Sequence, residues 1–264
     1  MAERLPTITV VTPSFEQRRY VEQTIESVLG QDYPGLEHLV VDGGSTDGTV
    51  ELLERYAGRL SYVSEADRGQ SHALNKGMAR AGGEVLAFLN SDDVYEPGAL
   101  RAVGEHFARN PGSVWVTGRC RTIDSEGREI RRPITAYKNA WLRLGSYRAL
   151  QVVNYVSQPA TFWRRRLWEE VGPFDESLAY AMDYDYWLRA GKRFRLDVLP
   201  RYLASFRVHP SSKAGASASA QFDAATAIAA RHVDSRALLA AHRAHNALSV
   251  AAYRLLLPRE RSRA

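Results

Sequence analysis

The sequence predicts an α/β domain with a mostly parallel central sheet flanked by helices, followed by a helical C-terminal extension. Three observations carry that expectation. Over the first 110 of the 264 residues, short β-branched runs alternate with segments of helical period, the order of a doubly wound sheet. Residues 85–89 are uninterruptedly apolar and follow the turn pair Gly82-Gly83, which marks a strand buried on both faces. Three strand ends in this half carry polar clusters, at 12–16, 42–47 and 90–93. Ligands in open α/β sheets sit outside the carboxyl ends of the strands, so these clusters together mark a candidate site.

The elements follow in order. Residues 8–11 read as a strand by their β-branched content, stopped by Pro13. Residues 19–29 place Tyr20, Val21, Ile25, Val28 and Leu29 on one helical face. A second strand at 36–41 runs into the turn Asp42-Gly43-Gly44-Ser45, and a helix follows at 50–56. Residues 60–63 form a third strand, 71–80 a helix, and 85–89 the central strand. The second half is less regular. Strands are expected at 114–117, 160–163 and 202–206, and a hairpin turn at Asp124-Ser125-Glu126-Gly127. Helices are expected at 164–171 and 183–191, with a long connection over 133–150. Residues 211–219 are rich in Ser, Ala and Gly, and 221–257 are Ala-rich and helical by propensity. The expected organisation is one domain over 1–215, with halves 1–110 and 111–215, and a helical extension over 216–264.

Composition narrows the class. The chain is 45% hydrophobic and 25% charged, ordinary for a globular protein. A net charge of +5 favours anionic partners such as nucleotides, phosphates or an anionic lipid surface. The single Cys120 leaves no internal disulfide and fits a reducing compartment, and residues 1–7 show no apolar signal region. The expected setting is cytoplasmic; the C-terminal segment reads either as a helix packed on the domain with a solvated basic tail or as an amphipathic element peripheral at the inner membrane face. The P-loop and dinucleotide fingerprints are both absent, which removes support for ATP hydrolysis and NAD chemistry.

Two acidic foci stand out. The central strand stops at Asn90-Ser91-Asp92-Asp93. Adjacent carboxylates at a strand end suit a hard divalent cation, Mn²⁺ or Mg²⁺, which takes carboxylates plus substrate phosphates. They also suit the opening turn of a following helix, with Pro97 behind them. The second focus is Met182-Asp183-Tyr184-Asp185-Tyr186-Trp187. There Asp183 is either a helix cap or a general base that takes a proton from an acceptor hydroxyl. Arg68, Asn75 and Lys76 are either solvated or phosphate contacts, and His209 leaves a strand end where an imidazole could join a metal.

Taken together these segments resemble the inverting nucleotide-sugar glycosyltransferases of family 2, which have the GT-A (Rossmann-like) fold. The resemblance spans residues 8–209. Its motifs are Thr12-Pro13-Ser14-Phe15, Val41-Asp42-Gly43-Gly44-Ser45-Thr46-Asp47-Gly48-Thr49, Asp67-Arg68-Gly69-Gln70 with Asn75-Lys76-Gly77, Leu89-Asn90-Ser91-Asp92-Asp93, Gly172-Pro173-Phe174-Asp175, Asp183-Tyr184-Asp185-Tyr186-Trp187-Leu188 and Arg207-Val208-His209. The family pattern implies that Thr12, Pro13, Ser14, Phe15, Glu16 and Asp42 hold the donor's base and ribose. Arg68 would approach the nucleotide or its phosphates, with Asn75 and Lys76 as further substrate contacts. Asp92 would contact the ribose, Asp93 and His209 the metal, and Gln158 and Trp187 the substrates, with Asp183 as base. The implied reaction moves a sugar from a nucleotide-diphosphate donor to a glycan or lipid-linked acceptor by a single metal-assisted displacement, with no nucleic-acid partner. A nucleotidyltransferase and a non-catalytic nucleotide-binding or membrane-surface module are the rival readings, and the C-terminal helix would also suit a homodimer. Two positions depart from the pattern. Gly43 stands where many relatives carry a second acid, which weakens the case for a UDP donor, and Met182 stands where many have an acid before the base.

Overall fold

A computed structural model describes residues 4–212 and 218–256. The first half alternates as its periodicity predicts: β1 (Ile8–Ser14), α1 (Val21–Leu29), β2 (Leu36–Asp42), α2 (Thr49–Glu54), β3 (Ser61–Ser64), α3 (Gln70–Arg80) and β4 (Val85–Phe88). These four strands lie parallel in the order β3-β2-β1-β4. Their register puts Ser14 beside Asp42 and Asp42 beside Ser64, so three polar residues line one row at the carboxyl edge. Helix α3 lies very close to β1 because position 77 has no side chain. A Cβ on Gly77 would stand 2.4 Å from Val11 Cγ1.

Then the sheet becomes mixed. It continues through β5 (Val94–Tyr95), α4 (Ala99–Arg109), β6 (Trp115–Ile123), β7 (Glu129–Ile130), α5 (Arg132–Leu142) and α6 (Tyr147–Leu150). A single 3-10 turn at Gln158–Ala160 precedes β8 (Thr161–Arg164), α7 (Arg165–Val171), α8 (Met182–Gly191) and β9 (Leu196–Arg207). Strand β8 is antiparallel to both β4 and β6, while β6 and β9 are parallel. Two expectations are corrected here. Asp92 and Asp93 do not open a helix; they precede the short strand β5, which pairs antiparallel with β9. The connection expected over 133–150 contains helix α5, whose Pro133 occupies the first turn, where a missing N–H costs nothing.

Each strand sends alternate residues to opposite sides. Val11, Val41, Leu86, Phe88, Trp115 and Trp163 pack with residues of α3 and α8. Ile8, Val10, Val85, Ala87, Val116 and Phe162 pack with α4 on the other face. The extension forms α9 (Ala218–His232) and α10 (Arg236–Leu256). Ala225, Ile228, Ala229 and Val233 join the same core cluster as Tyr184 and Trp187 of α8. Among the described residues no helix is long and apolar enough to cross a membrane. The basic tail expected to contact lipid, at 257–264, lies outside the described residues.

Candidate active site

Antiparallel pairing of Val94 with Ser205 carries Asp92 and Asp93 opposite Arg207, with His209 just beyond. The two aspartates then diverge. Asp93 is fully buried, and its Oδ1 accepts from the Arg207 backbone N–H at 2.8 Å. Burial, and next the Asp92 carboxylate, raise its pKa well above the ordinary value. Asp92 keeps a partly exposed side chain, and its Oδ2 lies 3.1 Å from His209 Nε2. The other ring nitrogen, Nδ1, faces Ser211 Oγ at 2.9 Å, and the ring packs 4.6 Å from Tyr20. Asp92 is thus the carboxylate that faces His209, whereas the family pattern implied Asp93 and His209 as the pair toward a metal. The alternation that buries Asp93 beneath β9 turns its neighbour to the edge. Arg207 fixes the loop from below: its guanidinium donates to the Asp92 backbone carbonyl at 2.7 Å, to the Asp124 carbonyl and to Gln23.

At the ends of β1 and β2 the polar residues are mostly occupied. Asp42 is fully buried and accepts from the Gly44 and Ser45 N–H groups, from Ser45 Oγ at 2.6 Å and from Ser64 Oγ at 2.7 Å. In this arrangement the carboxylate shapes its own turn. Thr12, Pro13 and Ser14 are buried as well, Thr12 Oγ1 lying 3.0 Å from His38 Nε2. Among the described residues Ser14 Oγ has no hydrogen-bond partner. Glu16 holds the opposite loop through the Thr46 N–H at 2.8 Å. Phe15 is left 61% exposed, the flat apolar surface at this edge.

Helix α3 bridges the two acidic foci. Gln70 Nε2 donates to Asn90 Oδ1 at 2.7 Å, and the neighbouring Ser71 Oγ reaches Met182 Sδ at 3.2 Å. Met182 opens α8, and Asp183 sits in that helix's first turn behind Ala181, whose φ is +54°. Asp183 is half-buried, beside a helix N-terminus that favours its charge. The half-buried Lys138 of α5 is near enough to feel it: burial lowers the lysine's pKa, while Cys120 and Asp183 act in the opposite direction. Lys138 escaped the sequence reading because 133–150 looked like a connection.

Several expected contacts lie elsewhere. Trp187 is fully buried, stacked on Trp115 and edge-on to Trp163; it is a core residue, not a substrate contact. Asn75 clamps the 174–176 loop through Phe174 and Glu176, and Lys76 pairs with Glu65 at 2.7 Å. Arg68 is exposed and paired with Glu176 at 2.6 Å. Gln158 is buried under the strand edge, donating to the Phe88 carbonyl and accepting from Asn90.

The family model described as glycosyl transferase family 2 matches residues 9–172. The chain belongs to that family. It is 31% identical over 222 residues to an uncharacterized glycosyltransferase of Nostoc sp. (strain PCC 7120), covering 81% of this chain and 68% of that protein. It is 27% identical over 190 residues to the chondroitin synthase of Escherichia coli, covering 71% of this chain and 27% of the synthase. Among solved structures, TarS residues 1–349 of S. aureus in complex with UDP-GlcNAc superposes with a TM-score of 0.71 at 19% identity, covering 96% of this chain and 77% of that one. The mannosyltransferase PcManGT of Pyrobaculum calidifontis, in complex with GDP-Man and Mn²⁺, gives a TM-score of 0.70 at 22% identity over 95% and 75%. This family 2 glycosyltransferase thus has the GT-A fold, a mixed α/β sheet flanked by helices.

The donor set at the edge fits a divalent cation only in part. Asp92 and His209 are a carboxylate and an imidazole, both ordinary ligands of Mn²⁺. Among the described residues no third His, Cys, Asp or Glu joins them as a cluster. A cation held by this pair would need its remaining ligands from substrate phosphates and water.

Proposed function

We propose that the protein is an inverting glycosyltransferase that moves a sugar from a nucleotide-diphosphate donor to a hydroxyl of a glycan or lipid-linked acceptor. One observation carries the reading. The first turn of α3 ties Asn90 at the strand end to Met182 at the start of α8, which supports reading the two neighbouring acidic segments as parts of one site. Asp92 and His209 would hold Mn²⁺ or Mg²⁺, which when bound supplies positive charge to the diphosphate. Phe15 offers a face for the base. Asp183 accepts the acceptor's O–H proton as that oxygen bonds to the anomeric carbon. The bond to the diphosphate breaks in the same step, its electron pair leaving with the phosphate oxygen. A single displacement inverts the anomeric centre. The fold neighbours were solved with UDP-GlcNAc, UDP or GDP-Man, so the fold accommodates more than one base.

The test is Asp183→Asn, which keeps the shape and removes the base. Transfer should fall about 10²- to 10⁴-fold while nucleoside diphosphates with Mn²⁺ still raise the melting temperature. Transfer at the wild-type rate by the folded variant would sink the mechanism.

A further inference from the structure

The turn that departs from the family pattern, Gly43, is filled from across the groove. A Cβ built on Gly43 would lie 2.9 Å from Asp67 Oδ2 and 3.2 Å from Phe15 Cδ2. The Asp67 carboxylate and the exposed Phe15 ring therefore meet over a bare stretch of backbone. Asp67 is partly exposed and anchored, because its Oδ1 accepts from the Gly69 N–H at 2.6 Å. Among the described residues Oδ2 accepts no protein hydrogen bond. The other acids of these loops are engaged: Asp42 shapes its own turn, Glu16 holds Thr46, and Asp47 accepts from Arg18 and Thr49.

We infer that Asp67 reads the base of the donor, which lies on Phe15, and that the base is guanine. The inference rests on the donor reading above. An aromatic ring offers stacking to every base and discriminates little. A carboxylate only accepts hydrogen bonds. Guanine presents a ring N–H and an amino group side by side, and two N–H donors match two carboxylate oxygens as they do in arginine pairs. Uracil and thymine present one N–H between two carbonyl oxygens, which repel the second carboxylate oxygen. Adenine and cytosine present an unprotonated ring nitrogen, which leaves the carboxylate facing a lone pair.

The experiment is titration of wild-type protein, Asp67→Asn and Gly43→Ala with GDP, UDP, dTDP, ADP and CDP, each with Mn²⁺. Asparagine keeps an acceptor for the Gly69 N–H but turns an N–H towards the base. Alanine at 43 needs no unusual φ, and its methyl would push the Asp67 carboxylate aside without removing it. GDP should bind tightest to the wild type, and both variants should lose about 10- to 100-fold of that affinity, the range for a hydrogen bond to a charged group. Another diphosphate binding as tightly as GDP, or either folded variant keeping wild-type GDP affinity, overturns the base assignment alone. No binding by any of the five overturns the donor reading as well.

Discussion

His38 shows how a single side chain sets a pH limit. It lies on β2, buried, with Nε2 against Thr12 Oγ1 and, among the described residues, no partner at Nδ1. Burial lowers its pKa from 6.5 to about 3. The folded protein holds the ring neutral, whereas the unfolded chain takes up a proton below its ordinary value. As pH falls from 6.5 towards 3, the unfolded state therefore gains a proton that the native state does not. Stability drops by up to about 1.4 kcal/mol per pH unit from this group. Urea unfolding at pH 7, 6 and 5 should show that slope, and His38→Gln, which can still bond Thr12, should flatten it. An unchanged slope in the variant would refute the assignment. The same scale explains Trp187. The family pattern implied a substrate contact there, but helical spacing puts it on the face that meets Trp115 and Trp163. A sequence shows that a residue is aromatic; it does not show which side of a helix is covered.

The decisive element is α8, which carries Asp183. Its inner side is fastened by Asp185, which accepts from Arg189 Nε at 2.8 Å and faces His232 Nε2 of α9 at 2.7 Å. Arg189 continues to the Val171 and Pro173 carbonyls, so α8 is tied at once to α9 and to the loop after α7. Asp185 is 4% exposed. Removing one partner from such a group leaves the rest uncompensated, and Asp185→Ala should cost about 3 kcal/mol of unfolding free energy. The milder His232→Gln should leave the fold intact and lower kcat more than donor affinity, because the helix that aims Asp183 loosens. Equal kcat and stability in both variants would show that the clamp has no bearing on the base. The sequence exposed Asp185 and His232 only as an acid and a basic-helix residue 47 positions apart. It had no means of pairing them.

At the scale of the molecule, the C-terminal helices are part of the core. Ala225, Ile228, Ala229 and Val233 cover α8 residues that water would otherwise reach. Cutting the chain before residue 218 should therefore lower the melting temperature by more than 10 °C or abolish soluble expression; each kcal/mol shifts a chain of this size by roughly 2–4 °C. A truncated protein that melts where the full chain does would show that the catalytic unit needs no such cover.

The sequence by itself determined the strand and helix alternation of the first half, the buried central strand and the polar clusters at three strand ends. Those follow from spacing within a dozen residues, where apolar period and turn chemistry act. It also carried the family, because motifs are local. It missed α5, whose Pro133 and scattered aromatics mask a helix made stable by packing on β6, and it began the last strand at 202 where β9 begins at Leu196. Tertiary structure alone decided which aspartate faces outward. Asp92 meets His209 across 117 residues, and Asp93 disappears beneath Arg207, because a two-residue strand pairs with β9 in one register. A shift of one residue would exchange the pair, since successive side chains on a strand point to opposite faces.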